Sequence, residues 1–287
     1  MGPAPNTSIL VRDALPGEAP PRRFRTADQP LALSGGAVPP DARGLRELRA
    51  SASAQFTAEG LAWLLRDGPV WVVDLRQESH GFIDGLPVSF YAERNWGNRG
   101  RSREEAAADE RRRLSELAAA DEVTFAALKK DAGRGSEPPS MHVGRVQDEQ
   151  ELVEASGARY LRLFVSDHLR PDDGEVERFI AAMAVLPAGA RVHIHCRGGK
   201  GRSSTFLALY DILRNGTVVA LDDILARQRL LSGYDLARVG AVTDWKAVYR
   251  QERAAFIASF YGYVRAGARL PFGAWAAGSN ASLDGGK

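Results

Sequence analysis

Residues 192–204 read Val192-His193-Ile194-His195-Cys196-Arg197-Gly198-Gly199-Lys200-Gly201-Arg202-Ser203-Ser204 and contain the only cysteine of the 287-residue chain. The apolar residues before Cys196 are typical of a short buried strand, and the stretch that begins at Ser203 is typical of a helix start. A strand, a glycine-rich loop and a helix N-terminus in this order present several backbone N–H groups to one anion. The stretch therefore predicts an anion site at the carboxyl end of a strand in an α/β fold.

The thiol of Cys196 stands inside this predicted anion site. Backbone amides, Lys200 and Arg202 all favour the thiolate, which is the nucleophilic form of cysteine. A nucleophile in a phosphate-sized loop indicates phosphoryl transfer through a cysteinyl-phosphate. The alternative is a buried structural cysteine in a strand-to-helix turn. Packing alone explains neither the glycines at 198, 199 and 201 nor the three cations of the loop.

The pattern His-Cys-x5-Arg-Ser at 195–203 resembles the signature loop of the cysteine-dependent protein tyrosine phosphatase (PTP) superfamily. Further stretches are similar to the bacterial PTP-like phytases, which are myo-inositol polyphosphate phosphatases. These stretches are Phe24-Arg25-Thr26, Ser53-Ala54-Gln55-Phe56, Val72-Val73-Asp74-Leu75-Arg76-Gln77-Glu78-Ser79-His80-Gly81-Phe82, Asn95-Trp96-Gly97-Asn98, Val165-Ser166-Asp167-His168-Leu169-Arg170-Pro171 and Asp223-Ile224-Leu225-Ala226-Arg227-Gln228. The similarity runs from Arg22 to Trp275, which is nearly the whole chain.

The order of the elements predicts the fold class. Strands alternate with helices, which is typical of an α/β fold with a mostly parallel central sheet flanked by helices. The resemblance implies a PTP-like fold with a small β-rich module. We expect a loose N-terminal segment over 1–22, a PTP-like phosphatase domain over 23–278 and a tail over 279–287. Residues 97–150 are expected to contribute the small inserted module, and residues 81–100 to form a loop over the end of the sheet.

Composition excludes several classes of protein. The net charge of +2, from 38 basic and 36 acidic residues, argues against a general nucleic-acid coat, so any anion site has to be local. No run of about 18 apolar residues is present, so we expect no membrane span. The first residues lack the pattern of a signal peptide. The compartment stays open between the cytoplasm and, where a signal peptide has been removed, secretion or the periplasm.

The loop supplies four candidate catalytic residues. Cys196 is expected to be the nucleophile, and the planar guanidinium of Arg202 to hold two phosphate oxygens. Ser203 is expected to donate a hydrogen bond to the cysteine sulfur, which is compatible with a role as helix N-cap. His195 is expected to brace the loop through a backbone hydrogen bond rather than to act as a base.

Asp167 is the candidate general acid. It follows an apolar strand and precedes Pro171, which favours a rigid turn. An ester alkoxide is a poor leaving group and needs a proton as the P–O bond breaks. Asp172 and Asp173 are nearby alternatives, but they are typical of the N-cap of the next helix. For Asp167 itself the alternative is a purely structural turn residue.

A substrate with several phosphates needs several cations. The loop residues expected to line the site are Arg197, Gly198, Gly199, Lys200 and Gly201. The resemblance implies four further basic pocket residues, Arg25, His168, Lys246 and Arg250. Lys246 and Arg250 are four residues apart on one helix and so share a face. Gln228 either positions the attacking water or is an exposed helix residue.

The resemblance implies a phosphatase that needs no metal and no cofactor. Its substrate would be a small molecule, myo-inositol hexakisphosphate (phytate) or a lower inositol polyphosphate. A phosphotyrosine or phosphoinositide phosphatase is the alternative, which an aromatic gate or an exposed apolar rim would favour. A third reading is a protein that binds inositol phosphates without turnover. Asp74, Arg76, Glu78 and His80 are dense enough for a metal cluster, but we expect a structural network of hydrogen bonds and ion pairs.

Overall fold

The structure is a computed structural model that describes residues 8–33, 38–128 and 140–284, with side chains to residue 279. The strands in these residues are β1 (Ile9–Arg12), β2 (Arg25–Thr26), β3 (Ala50–Ser53), β4 (Val70–Asp74), β5 (His80–Ile83), β6 (Leu86–Tyr91), β7 (Glu122–Thr124), β8 (Ser140–His142), β9 (Val146–Gln147), β10 (Arg159–Arg162) and β11 (Arg191–His195). The α-helices are α1 (Ala58–Leu65), α2 (Arg103–Ala118), α3 (Glu149–Ala155), α4 (Asp173–Ala184), α5 (Gly201–Asn215), α6 (Leu221–Ser232), α7 (Ala247–Arg265) and α8 (Phe272–Asp284).

The central sheet has the strand order β10-β4-β11-β3-β2. The first four strands are parallel and β2 is an antiparallel edge strand, which confirms the predicted α/β class. β11 lies in the middle, where its residue His195 is in register with Asp74 of β4 and Ser53 of β3. The carboxyl ends of three strands therefore meet at one edge, and Cys196 follows directly from that edge.

Helix α5 packs behind the loop that follows β11. Nearly all of its residues are buried, from Arg202 to Asn215, as expected for a helix covered on most sides. Its side chain Phe206 meets Phe179 of α4 edge to face at 5.0 Å between ring centroids. These contacts belong to one core that also contains the apolar residues of β11. The loop is consequently set between two rigid, buried elements. No helix in the described ranges has both the length and the apolarity to cross a membrane.

A second, antiparallel sheet has the order β1-β6-β5-β9, and β7 pairs with β8 beside it. Its hairpin β5–β6 lies where the sequence predicted a loop over 81–100, so that prediction was wrong. The turn residues Asp84 and Gly85 have φ angles of 49° and 78°, and two consecutive left-handed residues form the tight turn that suits the twist of a hairpin. The antiparallel sheet thus includes the N-terminal strand β1 as well as β5, β6 and β9.

The N-terminal segment is ordered from residue 8, which corrects the prediction of a loose segment over 1–22; residues 1–7 lie outside the described residues. β1 pairs with β6 from Ile9 opposite Tyr91 to Arg12 opposite Val88. Next to it, the Asp13 carboxylate is buried and accepts hydrogen bonds from Arg76 at 2.8 Å and Arg197 at 2.6 Å. The C-terminal boundary also differs, because α8 continues to Asp284, past the predicted start of the tail.

We expect Asp13→Ala to lower the free energy of unfolding by about 3–5 kcal/mol, because it removes a buried carboxylate that pairs with two buried arginines. Asp67→Ala is the matched control, since the Asp67 side chain is 63% exposed beside Arg66. Exposed pairs of this kind contribute about 0–1 kcal/mol. Urea unfolding followed by circular dichroism measures both values. Equal small losses for the two variants would contradict the structural role of Asp13.

Candidate active site

The loop from Cys196 to Lys200 joins the end of β11 to the start of α5. Cys196 is 3% exposed, and its Sγ accepts a hydrogen bond from Ser203 Oγ at 3.1 Å, as the sequence predicted. α5 begins at Gly201, earlier than the helix start at Ser203 that the sequence predicted. The positive end of this helix therefore faces the loop, where it favours an anion.

Gly199 determines how closely the loop approaches the neighbouring strand. Its φ is +65°, and a Cβ there would lie 2.4 Å from the backbone N of Ala54. A Cβ added at Gly198 would have no heavy atom within 4 Å. A side chain at 199 would therefore push the loop away from the end of β3, whereas one at 198 would not.

Arg25 braces this loop from behind, which corrects its prediction as a pocket residue. The side chain is buried and donates to Gly199 O at 3.0 Å and to Ser204 Oγ at 3.1 Å. Burial lowers the pKa of Arg25 to about 10, with Cys196 opposing and Arg23 reinforcing the shift. Its neighbour Arg23 donates to Gly198 O at 2.7 Å. Basic side chains from the β2 region thus hold two loop carbonyls in place, which leaves the loop N–H groups for an anion.

Arg202 is held rigidly by Glu78. Its Nη1 and Nη2 donate to the two carboxylate oxygens of Glu78 at 2.7 and 2.9 Å, and Nη1 also lies 3.2 Å from Leu75 O and 3.0 Å from Val165 O. Burial raises the pKa of Glu78, but Arg202 and Arg76 outweigh it and hold that pKa well below its usual range. Among the described residues, Arg202 Nε has no hydrogen-bond partner. The Nε edge is thus the part of the guanidinium that no hydrogen bond of the described residues holds.

Asp167 lies beside that edge, with its Oδ1 3.5 Å from Arg202 Nε. Its carboxylate accepts a hydrogen bond from Asn95 Nδ2 at 3.2 Å. Burial raises the pKa of Asp167, but the charges of Arg202 and His168 outweigh burial and hold it below its usual range. The structure therefore brings the predicted acid, arginine and cysteine loop to one place.

The pocket above the cysteine has a volume of about 470 Å³. Its lining residues are Arg12, Asp13, Arg22, Arg23, Asp167, His168, Cys196, Arg197, Gly198, Lys200, Gly201, Tyr234, Lys246, Arg250 and Arg253. Eight of these are arginine or lysine and two are carboxylates, so the pocket is strongly cationic. A pocket with this lining selects anions with several charges.

Comparison with known proteins agrees with this geometry. A family model named PTP-like phytase, with the description "Inositol hexakisphosphate", matches residues 73–214. The solved structure of a PTP-like phytase from Bdellovibrio bacteriovorus has 35% sequence identity and a TM-score of 0.75, and the match covers 96% of this chain and 97% of that one. The chain belongs to the PTP-like phytase family.

Two other relatives are longer than this chain. The PTP-like myo-inositol phosphatase from Mitsuokella multacida, solved in complex with myo-inositol-(1,3,4,5)-tetrakisphosphate, has 30% identity and a TM-score of 0.89, with 96% of this chain and 48% of that chain covered. Effector protein hopD2 from Pseudomonas syringae pv. tomato is 28% identical over 90% of this chain. The chain spans 56% of the length of that relative.

Three of the four basic residues that the PTP-like phytase resemblance implied lie at the pocket. His168, Lys246 and Arg250 line it, although Arg250 also donates to Asp244 at 2.7 Å. The loop residue Lys200 lines it as predicted. Arg197 lines it too, with its Nε committed to Asp13.

Two other predicted site residues have different surroundings. Gln228 is buried and donates to Asp211 Oδ2 at 2.9 Å. It is not among the lining residues of the pocket. Neither prediction for Gln228, a water-positioning residue or an exposed helix residue, fits this position. His195 has its Nε2 2.6 Å from Glu149 Oε1 instead of a backbone partner. Both residues face buried carboxylates that sequence periodicity does not reveal.

Several pocket residues were missed from the sequence. Arg253 is seven residues after Lys246 and three after Arg250, so the helix-face argument that selected those two residues extends to it. Arg22 and Arg23 directly precede the Phe24-Arg25-Thr26 stretch. Their place next to a stretch that resembles the family could have identified them. Arg12 and Asp13 carried none, because only the pairing of β1 with β6 brings them to the pocket.

The expected network around β4 and β5 is present. Arg76 Nε contacts Glu78 at 3.0 Å, and His80 Nε2 lies 3.2 Å from Asp74 and 3.3 Å from Glu149. Burial and Arg76 oppose a charge on His80, but Asp74 and Glu110 outweigh them and raise its pKa well above the usual range.

Within the described ranges, Asp74, His80 and Glu149 offer metal-ligand atoms within 4.8 Å of one another. However, Asp74 already accepts from Tyr160 at 2.9 Å and Glu149 from Gln55 at 2.8 Å. His80 lies between the two carboxylates, and Arg162 Nε lies 3.4 Å from Asp74, so cationic side chains already face this cluster and we assign these residues to the network rather than to a metal.

We expect Gly199→Ala to lower the free energy of unfolding by more than about 1 kcal/mol, because a left-handed φ and a backbone clash coincide there. It should also abolish binding of tungstate, a phosphate mimic, in calorimetric titration. Gly198→Ala is the matched control and should lose much less of both. Similar behaviour of the two variants would contradict the close approach of the loop to β3.

Proposed function

We propose that this chain is a phosphatase that hydrolyses phosphomonoesters of myo-inositol hexakisphosphate and lower inositol polyphosphates through a cysteinyl-phosphate. The observation that carries the proposal is the position of Cys196 at the floor of a pocket with eight arginine or lysine side chains. Family membership supports the same chemistry. The Mitsuokella multacida relative, named as a myo-inositol phosphatase complexed with an inositol tetrakisphosphate, supports the substrate class.

In the first step, the Cys196 thiolate attacks phosphorus and the bond to the inositol oxygen breaks. The loop N–H groups and the Nε edge of Arg202 hold the equatorial phosphate oxygens, where the transition state carries its charge. Asp167 gives its proton to the leaving oxygen, so the alcohol departs neutral. The pairing of Arg202 with Glu78 fixes the guanidinium in position before substrate arrives.

In the second step, water attacks the cysteinyl-phosphate and the P–S bond breaks. The Asp167 carboxylate takes a proton from the water and so returns to its acidic form. Ser203 Oγ, 3.1 Å from Sγ, donates a hydrogen bond to the thiolate as it leaves. Inorganic phosphate is released, and the enzyme is ready for another phosphate of the same ring.

The pocket favours inositol polyphosphate over phosphotyrosine. Tyr234 is the single aromatic ring of tyrosine, tryptophan or phenylalanine among the described lining residues, which is not the aromatic gate expected for phosphotyrosine. Cations from the loop, from the segment before β2 and from α7 surround the site on several sides. A compact ring with several phosphates can meet them together, whereas a single phosphate cannot.

Phosphate release from phytate by the unmodified protein tests the proposal. We expect turnover that survives EDTA, falls to background in Cys196→Ser and is faster than turnover of a phosphotyrosine peptide. Neutralising a pocket cation in Arg253→Gln should raise KM for phytate several-fold, with a smaller effect on p-nitrophenyl phosphate. Arg66→Gln, an exposed arginine outside the pocket, is the matched control. Phytate turnover that persists in Cys196→Ser would end the proposal.

The pH dependence follows from the Asp167 environment. In the free protein Arg202 and His168 outweigh burial and lower the pKa of Asp167. A bound phosphate dianion competes for Arg202 and adds negative charge, so the pKa of Asp167 rises in the complex. Because Asp167 has to be protonated, the basic limb of kcat should lie at higher pH than the basic limb of kcat/KM. Rate profiles on phytate measure both limbs, and Asp167→Asn should remove the difference. Coincident limbs in the unmodified enzyme would contradict this role of Asp167.

A further inference from the structure

The stretch Asn95-Trp96 contacts Asp167 at two different groups. Asn95 Nδ2 donates to the side-chain Oδ2 of Asp167 at 3.2 Å, and Trp96 Nε1 donates to its backbone O at 2.7 Å. The two donors come from a segment about 70 residues earlier in the chain. One neighbour thus orients the carboxylate, and the other holds the backbone that carries it.

The turn that presents these donors is itself well anchored. Arg94 and Asn95 have φ angles of 57° and 67°, a left-handed conformation that costs energy for residues other than glycine. Asn98 ties the turn to the segment after β4, because its Nδ2 donates to Gln77 O at 3.0 Å and Ser79 Oγ at 2.9 Å. A strained turn that is held in this way presents its side chains in one orientation.

Aromatic contacts link the segment at 95–96 and the Asp167–His168 turn to the residues at the start of α7. The ring of Trp96 meets Trp245 edge to face at 5.7 Å and Tyr249 at 5.6 Å, and His168 meets Trp245 at 5.1 Å. Edge-to-face pairs of this kind add about 0.5–1.5 kcal/mol each beyond their buried area. The acid turn is therefore clamped between the segment at 95–96 and the start of α7.

We propose that Asn95 and Trp96 are positioning residues that hold Asp167 in its proton-donating place before substrate binds. The proposal rests on the proposed function, in which Asp167 protonates the leaving oxygen. It assigns a task to the Asn95-Trp96-Gly97-Asn98 stretch, which the chemistry of the cysteine loop does not otherwise use. Trp96 acts through the backbone of Asp167, and Asn95 acts through its carboxylate.

Leaving-group dependence separates this role from a general structural one. An inositol alkoxide needs the proton of Asp167, whereas p-nitrophenolate leaves readily without one. Displacement of the acid therefore slows phytate hydrolysis and leaves p-nitrophenyl phosphate hydrolysis nearly unchanged. Damage to the fold or to the cysteine loop would slow both reactions together.

The experiment compares kcat on both substrates for Asn95→Ala, Trp96→Phe and Asp167→Asn. Trp63→Phe, a tryptophan on α1 away from the pocket, is the matched control. We expect Trp96→Phe and Asn95→Ala to lose about 10- to 100-fold on phytate, the range for a displaced catalytic group, and less than about 3-fold on p-nitrophenyl phosphate. Asp167→Asn should show the same selectivity to a greater extent, and Trp63→Phe should be unchanged on both.

The pH profile then distinguishes the two residues. The Asn95 N–H stabilises the ionised carboxylate, so its loss raises the pKa of Asp167 and moves the basic limb on phytate to higher pH. Asn95→Asp keeps the shape, adds a like charge and should move that limb further. Trp96→Phe should leave the limb in place, because it touches only the backbone oxygen.

Equal losses on both substrates, or no loss on phytate, would overturn the proposal for the residue concerned. An unshifted basic limb in both Asn95 variants would overturn the role of Asn95. An unmodified protein without turnover of any phosphomonoester would instead refute the proposed function. Because p-nitrophenyl phosphate turnover also reports an intact cysteine loop, each variant carries its own test of folding.

Discussion

A chain of buried charges with alternating sign runs beneath the catalytic loop. It passes from Arg197 to Asp13 at 2.6 Å, from Asp13 to Arg76 at 2.8 Å, and from Arg76 to Glu78 at 3.0 Å. Glu78 then grips Arg202, whose Nε reaches Asp167 at 3.5 Å. Burial of so many charges is costly, and it is tolerated because each is paired and hydrogen-bonded. This series of buried ion pairs anchors Arg197 and Arg202, the two arginines at the ends of the cysteine loop.

The consequence for the site is preorganisation. The described contacts of Arg202 occupy its Nη groups, so the guanidinium cannot rotate and its remaining edge points in one direction. From behind, Arg25 fixes the loop carbonyl of Gly199. A loop that is already in place loses little freedom when a phosphate binds, so its dipoles act fully on the developing charge. The outer cations add positive charge around this fixed loop.

The local parts of the site were predictable from the sequence. Cys196 in the loop and Arg202 and Ser203 in the first turn of α5 are close together along the chain, so the strand-loop-helix order determines their relative positions. The same local reasoning failed for β5–β6, although Asp84-Gly85 is a hairpin signal. It failed for Gln228 and Arg25 because both side chains turn inward to polar partners, Asp211 and the loop, that lie far away in sequence. Hydrophobic periodicity in a sequence does not show which polar side chains are buried against distant polar partners.

By itself the sequence determined the α/β class and the cysteine loop, because both depend on patterns of residues that are close together along the chain. The tertiary structure alone decided that Asp13 joins Arg76 and Arg197, and that Asn95 and Trp96 meet Asp167. These contacts depend on how β1 pairs with β6 and how the loops pack at the edge of the sheet. Long-range pairing of charges follows from the three-dimensional arrangement of the strands, and residue order does not encode it in any local pattern.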